Sequence, residues 1–181
     1  MQRSLLVTWI GYLYLSALNH ILTNIPFFSF RYFILKYFYR MDTKTSSIHM
    51  GIKYLSPWNI LIGKNSIIHF DCLIDGRGGI TIGDNVDISF GVKIFTAQHP
   101  INDPEYSTER KNVHIGDQVV IGAYSIILPG VTIGNGSVIG AGSVVTKNIP
   151  PYTFAAGSPA HFKRKRTEQL TYQLSYKRPF H

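Results

Sequence analysis

Aliphatic residues recur at every sixth position through the second half of the chain, without a slip. The series is Ile115, Ile121, Ile127, Ile133, Ile139 and Val145. This period fits neither an α-helix nor an alternating strand. It is typical of solenoids in which each group of six residues forms a short strand and a turn, and three groups close one triangular coil. The sequence therefore predicts a mainly β prism of stacked parallel strands.

The same period extends upstream with one change. Its positions are Ile48, Tyr54, Ile62, Ile68, Ile74, Ile82, Ile88 and Ile94. The steps are 6, 8, 6, 6, 8, 6 and 6, so two successive coils hold 20 residues instead of 18. Because additions to a repeat collect on one face, both widen the same corner. Strings such as Gly83-Asp84-Asn85 and Gly134-Asn135-Gly136 provide residues that tolerate tight corners.

The charge distribution points to an anionic partner or a membrane surface. The formal net charge is +8, and residues 163 to 166 are all basic, whereas residues 4 to 30 carry no Asp, Glu, Lys or Arg. No stacking platform or recognition-helix pattern accompanies the charge, so we expect no nucleic-acid partner. The single cysteine, Cys72, excludes an intrachain disulfide and a Cys-based zinc cluster, and it suits the reducing cytoplasm.

Residues 1–45 form an apolar and aromatic segment that we predict to be helical. Three placements stay open: a membrane span, a helical pair in the membrane interface, or a pair packed on the neighbouring fold. Polar residues interrupt the apolar run and Pro26 ends it, which argues against a span. A signal peptide would need a small-residue cleavage site, which is missing. Trp9, the tyrosines, Arg31, Lys36 and Arg40 favour peripheral contact with the membrane.

Several sequence motifs, in addition to the aliphatic period, match those of a known family. They are Ile82–Val86, Thr96–Pro100, Leu128–Gly134, Val138–Lys147 and Ile149–Ala160. Through them, residues 48 to 164 resemble the hexapeptide-repeat acyltransferases, in particular galactoside and maltose acetyltransferases and their relatives in capsular and exopolysaccharide gene clusters. The resemblance implies a single-stranded left-handed parallel β-helix, although parallel crossovers are otherwise right-handed. It also implies a homotrimer that transfers acetyl from acetyl-CoA to a sugar or polysaccharide hydroxyl.

The expected organisation has three parts. They are a helical segment at 1–45, a β-helix at 46–164 with a loop at 100–112, and a tail at 165–181. In the tail, Leu170 and Leu174, like Tyr172 and Tyr176, stand four residues apart. This spacing predicts a short helix packed outside the coils.

His99 is the candidate catalytic base. It stands directly before the polar loop at 100–112, and a long loop that interrupts a regular solenoid is usually functional. In the resembled family the matching histidine takes the proton of the acceptor hydroxyl as the oxygen attacks the thioester, and an imidazole suits that task. We expect direct transfer without an acyl-enzyme. Cys72 occupies a small inward position of its hexad, so it belongs to the core.

The resemblance assigns acceptor contacts to His69, Asp71 and Arg77 on the widened coils. Polar groups there would hold sugar hydroxyls. His69 and Arg77 stand where the galactoside enzymes carry an amide and an acid. These basic side chains are compatible with a negatively charged glycan as the acceptor. Asp71 could alternatively orient His99 across a coil. For His69 and Arg77, ordinary solvated corners are the alternative.

The resemblance also implies a groove between subunits for acetyl-CoA. Backbone groups of Ala123 and Ala141 would contact the pantetheine arm, with Thr146 and Lys147 beside it. His161 and Arg164 would face the nucleotide phosphates, for which basic side chains are apt. The alternative for the basic run at 163 to 166 is a solvated or membrane-facing cluster.

The residue pattern leaves further functions open. Carbonic anhydrases of the same fold hold zinc with three histidines, but His69, His99 and His114 lack the close pair such a site needs, so we expect no metal.

Transfer to the amine of an amino sugar would use the same base and donor groove. The chain could also be a non-catalytic scaffold subunit of a membrane polysaccharide assembly. The expected location is the cytoplasm, with peripheral placement on the inner face of the membrane.

Overall fold

Two helices precede the solenoid in the computed structural model, which describes residues 5–41, 43 and 45–174. Helix α1 spans Leu5–His20, a 3-10 turn spans Leu22–Asn24, and α2 spans Phe28–Tyr37. Leu18, Ile34 and Leu35 are buried and join the core of the first coil. The predicted helical pair is therefore present, and one end of it is packed on the fold.

Short parallel strands form three faces of a prism. Face A holds β1 (Ser47–Ile48), β4 (Ile67–Ile68), β7 (Asp87–Ile88), β12 (Val120–Ile121), β15 (Val138–Ile139) and β17 (Thr153–Ala156). Face B holds β2 (Lys53–Leu55), β5 (Leu73–Asp75), β8 (Lys93–Ile94), β13 (Ile126–Ile127) and β16 (Val144–Val145). Face C holds β3 (Ile60–Ile62), β6 (Ile80–Ile82), β11 (Val113–Ile115) and β14 (Thr132–Ile133). Each coil visits A, B and C in turn, and together they form the left-handed parallel β-helix.

The register confirms the coil lengths read from the sequence. Ile60 pairs with Ile80, Ile80 with Val113, and His114 with Thr132. The two added residues lie between faces B and C, in the 3-10 turns Pro57–Asn59 and Gly76–Gly78. The long loop follows at the same place in the third coil, where β9 (Ala97–Gln98) pairs antiparallel with β10 (Glu109–Arg110). Corner BC therefore carries every enlargement of the solenoid among the described residues.

The core is a single column of aliphatic side chains. Ile68, Ile88, Ile121 and Ile139 stack along the inside of face A, each at most 1% exposed. Between faces, the chain turns through residues with positive φ, which at corner AB are Gly51, Asp71, Gly91, Tyr124 and Gly142. Glycine and Asp were expected there, whereas Tyr124 was not.

The end of the chain departs from the prediction. Strand β18 (His161–Lys165) turns back antiparallel on β17, and residues 166 to 174 contain no helix. The Gln118 side chain donates to the Leu170 carbonyl, and the Leu174 amide donates to Asn85 Oδ1, so the tail is bonded along the outside of the coils. These bonds compete with a helix that is too short to be stable alone. The remainder of the predicted helix, including Tyr176, lies outside the described residues.

Candidate functional site

The predicted site residues fall on two corners of the chain and on its last strand. Corner AB, between faces A and B, carries His69, Asp71, Ala123 and Ala141. Corner BC carries Arg77, His99, Thr146 and Lys147. His161 and Arg164 lie on β18 at the end of face A. A whole face separates the two groups within a single chain.

The loop on corner BC fixes the orientation of the His99 ring. Its Nδ1 atom lies 3.1 Å from the Tyr106 carbonyl oxygen and 2.9 Å from that of Ser107. Because both partners are acceptors, Nδ1 must carry the proton and Nε2 the lone pair. The ring also stacks on Tyr106 with centroids 3.8 Å apart. In the part of the chain that the structure describes, no protein group bonds to Nε2, so this atom is free to accept a proton.

Asp103 shapes the turn that presents these carbonyls. Its carboxylate accepts the backbone N–H groups of Glu105 at 2.9 Å and Ser107 at 2.7 Å, together with the Ser107 hydroxyl. The hydrogen bond from the Ser107 side chain, with those from the two amides, lowers the pKa of Asp103. An ionised Asp103 therefore holds the loop in the shape that positions His99.

A hollow of about 480 Å³ opens beside His99. Its lining residues are Gln98, His99, Pro100, Ile101, Asn102, Asp103 and Glu109. All belong to the loop and its β9–β10 base, and none of the predicted acceptor residues lines it. The hollow is open to solvent.

Arg77 and Asp75 form a bidentate pair at the root of the loop. Arg77 Nε lies 2.9 Å from Asp75 Oδ1, and its Nη2 lies 3.0 Å from Oδ2. Burial raises the pKa of Asp75, but the hydrogen bonds from Arg77 and from the Thr96 amide outweigh it, and the pKa is lowered overall. Two of the guanidinium nitrogens of Arg77 are thus used structurally.

His69 and Asp71 lie together on corner AB, away from His99. His69 Nε2 is 3.3 Å from Asp87 Oδ1, without hydrogen-bond geometry, and its ring centroid lies 4.8 Å from that of His49. The Asp71 carboxylate lies over Gly51 of the preceding coil. His99 Nδ1 is held by the loop carbonyls, so Asp71 does not orient it within the chain.

The predicted pantetheine contacts lie at successive turns of corner AB, where Ala123 is half-buried and Ala141 is exposed. The Ala123 carbonyl accepts the Gly142 amide at 2.8 Å, so its coil stacks directly on that of Ala141. A Cβ on Gly122 would lie 2.5 Å from the Ala141 nitrogen, so only glycine allows this close stacking. Thr146 and Lys147 are exposed at the other corner.

A basic groove of about 350 Å³ lies at the end of face A. Arg164, Lys165 and Arg166 line it together with Phe154. The Arg164 guanidinium lies 5.7 Å from the centre of the Phe154 ring, which orients it. Such a groove suits a phosphate-bearing ligand. His161 is exposed on the same strand but does not line the groove.

Cys72 is a core residue. It is fully buried, its Sγ lies 3.3 Å from the Ser89 carbonyl oxygen, and burial raises its pKa to about 12. A thiol in this state is a poor nucleophile. Within residues 5–41, 43 and 45–174, no group of three or more His, Cys, Asp or Glu could hold a metal ion.

Two family descriptions match the chain. Residues 112–147 match the bacterial transferase hexapeptide (six repeats), and residues 59–95 match the hexapeptide repeat of succinyl-transferase. The galactoside O-acetyltransferase of Escherichia coli (strain K12) is 44% identical over 114 residues, which are 59% of this chain and 54% of that enzyme.

Solved structures share nearly the whole architecture. A maltose O-acetyltransferase from Clostridium difficile 630 superposes with a TM-score of 0.79 at 36% identity, over 92% of this chain and 90% of that one. The chain belongs to the hexapeptide-repeat transferase family. A hexapeptide-repeat acetyltransferase from Vibrio cholerae, solved with acetyl coenzyme A, superposes with a TM-score of 0.82 at 27% identity, over 91% of both chains.

The relatives and the solved structures place this hexapeptide-repeat transferase among the acetyltransferases of the galactoside and maltose O-acetyltransferase type. The resemblance inferred from the sequence is thereby confirmed.

Sequence reasoning missed two features of the transferase's surface. One is Asp103, for which the Asp followed four residues later by Ser was a readable turn signal. The other is an exposed aromatic stack on corner AB. Phe70 and Phe90 have ring centroids 5.6 Å apart, and Phe90 and Tyr124 lie 4.8 Å apart. The positions of these rings follow from the lengths of successive coils.

Proposed function

We propose that the protein O-acetylates a sugar hydroxyl during the biosynthesis of a capsular or extracellular polysaccharide, with His99 as general base. The observation that carries the proposal is the hydrogen bonding of His99. Its Nδ1 donates to the Tyr106 and Ser107 carbonyls, which leaves the lone pair on Nε2 of an exposed side chain. An imidazole held in this tautomer is prepared to accept a proton.

The proposed reaction is a direct transfer. Nε2 accepts the proton of the acceptor hydroxyl while its oxygen bonds to the thioester carbonyl carbon. The carbon–sulfur bond then breaks, and the departing CoA sulfur takes the proton back from the imidazolium. Nothing is oxidised or reduced, and no acyl-enzyme forms. The burial of Cys72 and its raised pKa support a route without a cysteine nucleophile.

A homotrimer is the proposed working form. The residues inferred for one site lie on corners AB and BC, which one chain keeps apart. If corner AB of one protomer faces corner BC of the next, both groups line one cleft, and three such clefts form around a three-fold axis. The exposed aromatic stack on corner AB and the open hollow beside His99 support this assembly.

The acceptor and donor would enter this cleft from different ends. We assign acceptor contacts to His69, Asp71 and Arg77, with one nitrogen of the Arg77 guanidinium left for the acceptor. The chemistry of His69 and Arg77 favours a glycan that bears negative charge. The galactoside and maltose specificities of the relatives support a sugar acceptor.

For acetyl-CoA, we assign Ala123 and Ala141 to one wall of the cleft and Thr146 and Lys147 to the other. The basic groove supports the assignment of Arg164 to the nucleotide phosphates, with His161 beside it. The proposed place of action is the cytoplasm, with the protein peripheral on the inner face of the membrane. A free buried thiol and a cytoplasmic acyl donor agree with this location.

The test follows CoA release with acetyl-CoA and candidate capsular or exopolysaccharide oligosaccharides. We expect His99→Ala to lower kcat by about a thousandfold while KM for acetyl-CoA changes little. Turnover at the wild-type rate in the variant would remove His99 from its role. If the wild-type protein binds oligosaccharide but releases no CoA, the chain is a scaffold subunit and not an enzyme.

A further inference from the structure

The amino-terminal half of α1 projects from the fold with apolar side chains on all sides. Every residue from 5 to 13 is exposed, and the exposed fractions of Leu5, Trp9 and Leu13 are 80%, 70% and 72%. Helix α2 and its two flanking residues also carry exposed rings, which are Phe27, Phe30, Phe33, Tyr37 and Phe38. So many exposed apolar side chains on two successive helices mark an interaction site.

The charged residues near this surface indicate what kind of partner it binds. No Asp or Glu occurs among residues 1 to 41, whereas Lys36 and Arg40 stand near the end of α2. The Lys36 ammonium lies 3.3 Å from the Tyr32 hydroxyl and 5.7 Å from the centre of the exposed Tyr37 ring. Aromatic side chains combined with basic ones and no acidic ones match the interface of an anionic bilayer.

The other half of α1 is fixed to the first coil. Asn19 Nδ2 donates to the Tyr54 carbonyl, and the Tyr54 amide donates to Asn19 Oδ1, both at 2.8 Å. Leu18 is fully buried, and the Gly51 amide donates to the Thr23 carbonyl at 3.1 Å. This part of the helix cannot enter lipid without breaking these contacts.

This attachment limits how deep the helix can reach. By length and composition, Leu5–Asn24 could cross a membrane. Among the described residues, the exposed part of α1, residues 5 to 13, is about 13 Å long, less than half of a hydrocarbon core of about 30 Å. We propose that residues 5–13 insert into one leaflet of an anionic membrane, with the rings of α2 at the headgroup level. This inference rests on the proposed peripheral placement, and it is independent of the proposed chemistry.

The test is flotation of the full chain with vesicles of phosphatidylcholine, alone or with about one third phosphatidylglycerol. We expect flotation with the mixed vesicles. The double variant Trp9→Glu and Leu13→Glu should lower the fraction bound by about tenfold or more, because two exposed anchors become acidic. The matched control is Leu61→Glu, which changes an apolar residue that is 65% exposed on face C and should float like the wild type.

Fluorescence measures the depth of insertion. In a Trp58→Phe background, Trp9 emission should shift to the blue on addition of mixed vesicles, and lipids brominated near the headgroup should quench it more than lipids brominated at the chain ends. Deeper quenching with resistance to carbonate extraction would indicate a span and overturn the proposal. Unchanged flotation of the double variant would also overturn it.

Two further outcomes separate the membrane contact from other roles of this surface. If the double variant alters the oligomeric state in the absence of lipid, another copy of the chain covers the surface, and the membrane proposal fails. CoA release with a free oligosaccharide should be equal in the double variant and the wild type. Flotation without CoA release would contradict the proposed reaction while leaving the membrane contact intact.

Discussion

Asp75 is a buried carboxylate that supports the root of the loop that carries His99. It is fully buried, and its charge is balanced by the paired nitrogens of Arg77 and by the Thr96 amide at 3.2 Å. The Thr96 hydroxyl also donates to the Asp75 carbonyl oxygen at 2.6 Å. Breaking such a buried pair from one side leaves a charge without its partner. Arg77 therefore has a structural role in addition to its proposed contact with the acceptor.

We predict that Asp75→Asn lowers the free energy of unfolding by about 2 kcal/mol at neutral pH. Because the folded pKa of Asp75 is lowered, its contribution is complete above the ordinary carboxyl pKa and is lost as pH falls through the folded value. The stability gap between the wild type and the variant should thus narrow in acid.

Urea unfolding followed by circular dichroism at neutral and acidic pH measures this gap. Asp84→Asn is the matched control, because Asp84 Oδ1 accepts one backbone N–H at 2.6 Å and an amide oxygen can do the same. A gap that is absent at neutral pH, or that widens in acid, would show that Asp75 does not stabilise the loop root in this way.

At the scale of elements, the repeat and the helices before it could be predicted, whereas the conformation of the tail could not. An aliphatic residue at every sixth position leaves one geometry that buries them all, so the coils and the widened corner follow from the sequence. The tail is different. The spacing of Leu170 and Leu174 is also compatible with an extended chain, and bonds to Gln118 and Asn85 favour that form.

The site shows the same division. The position of His99 before a long loop was readable, because the period stops there. Two contacts depend on how the chain turns within the corner, which residue types alone do not specify. They are the pairing of Arg77 with Asp75 and the hydrogen bonds from His99 Nδ1 to the loop carbonyls. The separation of the site residues between corners AB and BC likewise became visible only from the positions of the strands in the structure.

Gly78 lies in the 3-10 turn of the preceding coil, against the base of the loop, and gives an element-scale prediction. A Cβ on Gly78 would lie 2.6 Å from the Thr96 carbonyl oxygen and 2.9 Å from the Lys111 nitrogen, both backbone atoms at the loop base. Gly78→Ala must therefore displace the base. We expect kcat to fall by about a hundredfold, since a shift of an ångström misplaces the imidazole, while KM for acetyl-CoA stays nearly constant.

Steady-state CoA release on the folded variant checks this expectation. Gly11→Ala serves as the control, because a Cβ there meets nothing within 4 Å. If Gly78→Ala keeps the wild-type kcat, the positions of Thr96 and Lys111 at the loop base are not required to place the His99 ring.

At the scale of the whole molecule, assembly would bring the two halves of the divided site together. Corner BC provides the proposed base, and corner AB provides backbone positions proposed for the pantetheine arm. In a single chain they stand on opposite edges of face B, so each proposed site requires two protomers. The first coil, with both helices packed on it, would at the same time turn one end of the assembly towards the membrane.

Complementation between two inactive variants tests this requirement most directly. His99→Ala removes the base from corner BC, and Ala141→Trp blocks the proposed donor wall on corner AB, where the residue is exposed. Each variant alone should be inactive as a homotrimer. After mixed assembly in equal amounts, about one quarter of the clefts combine two intact corners, so CoA release should return to about one quarter of the wild-type rate. Mixed assemblies that remain as inactive as their parents would contradict a site shared between protomers.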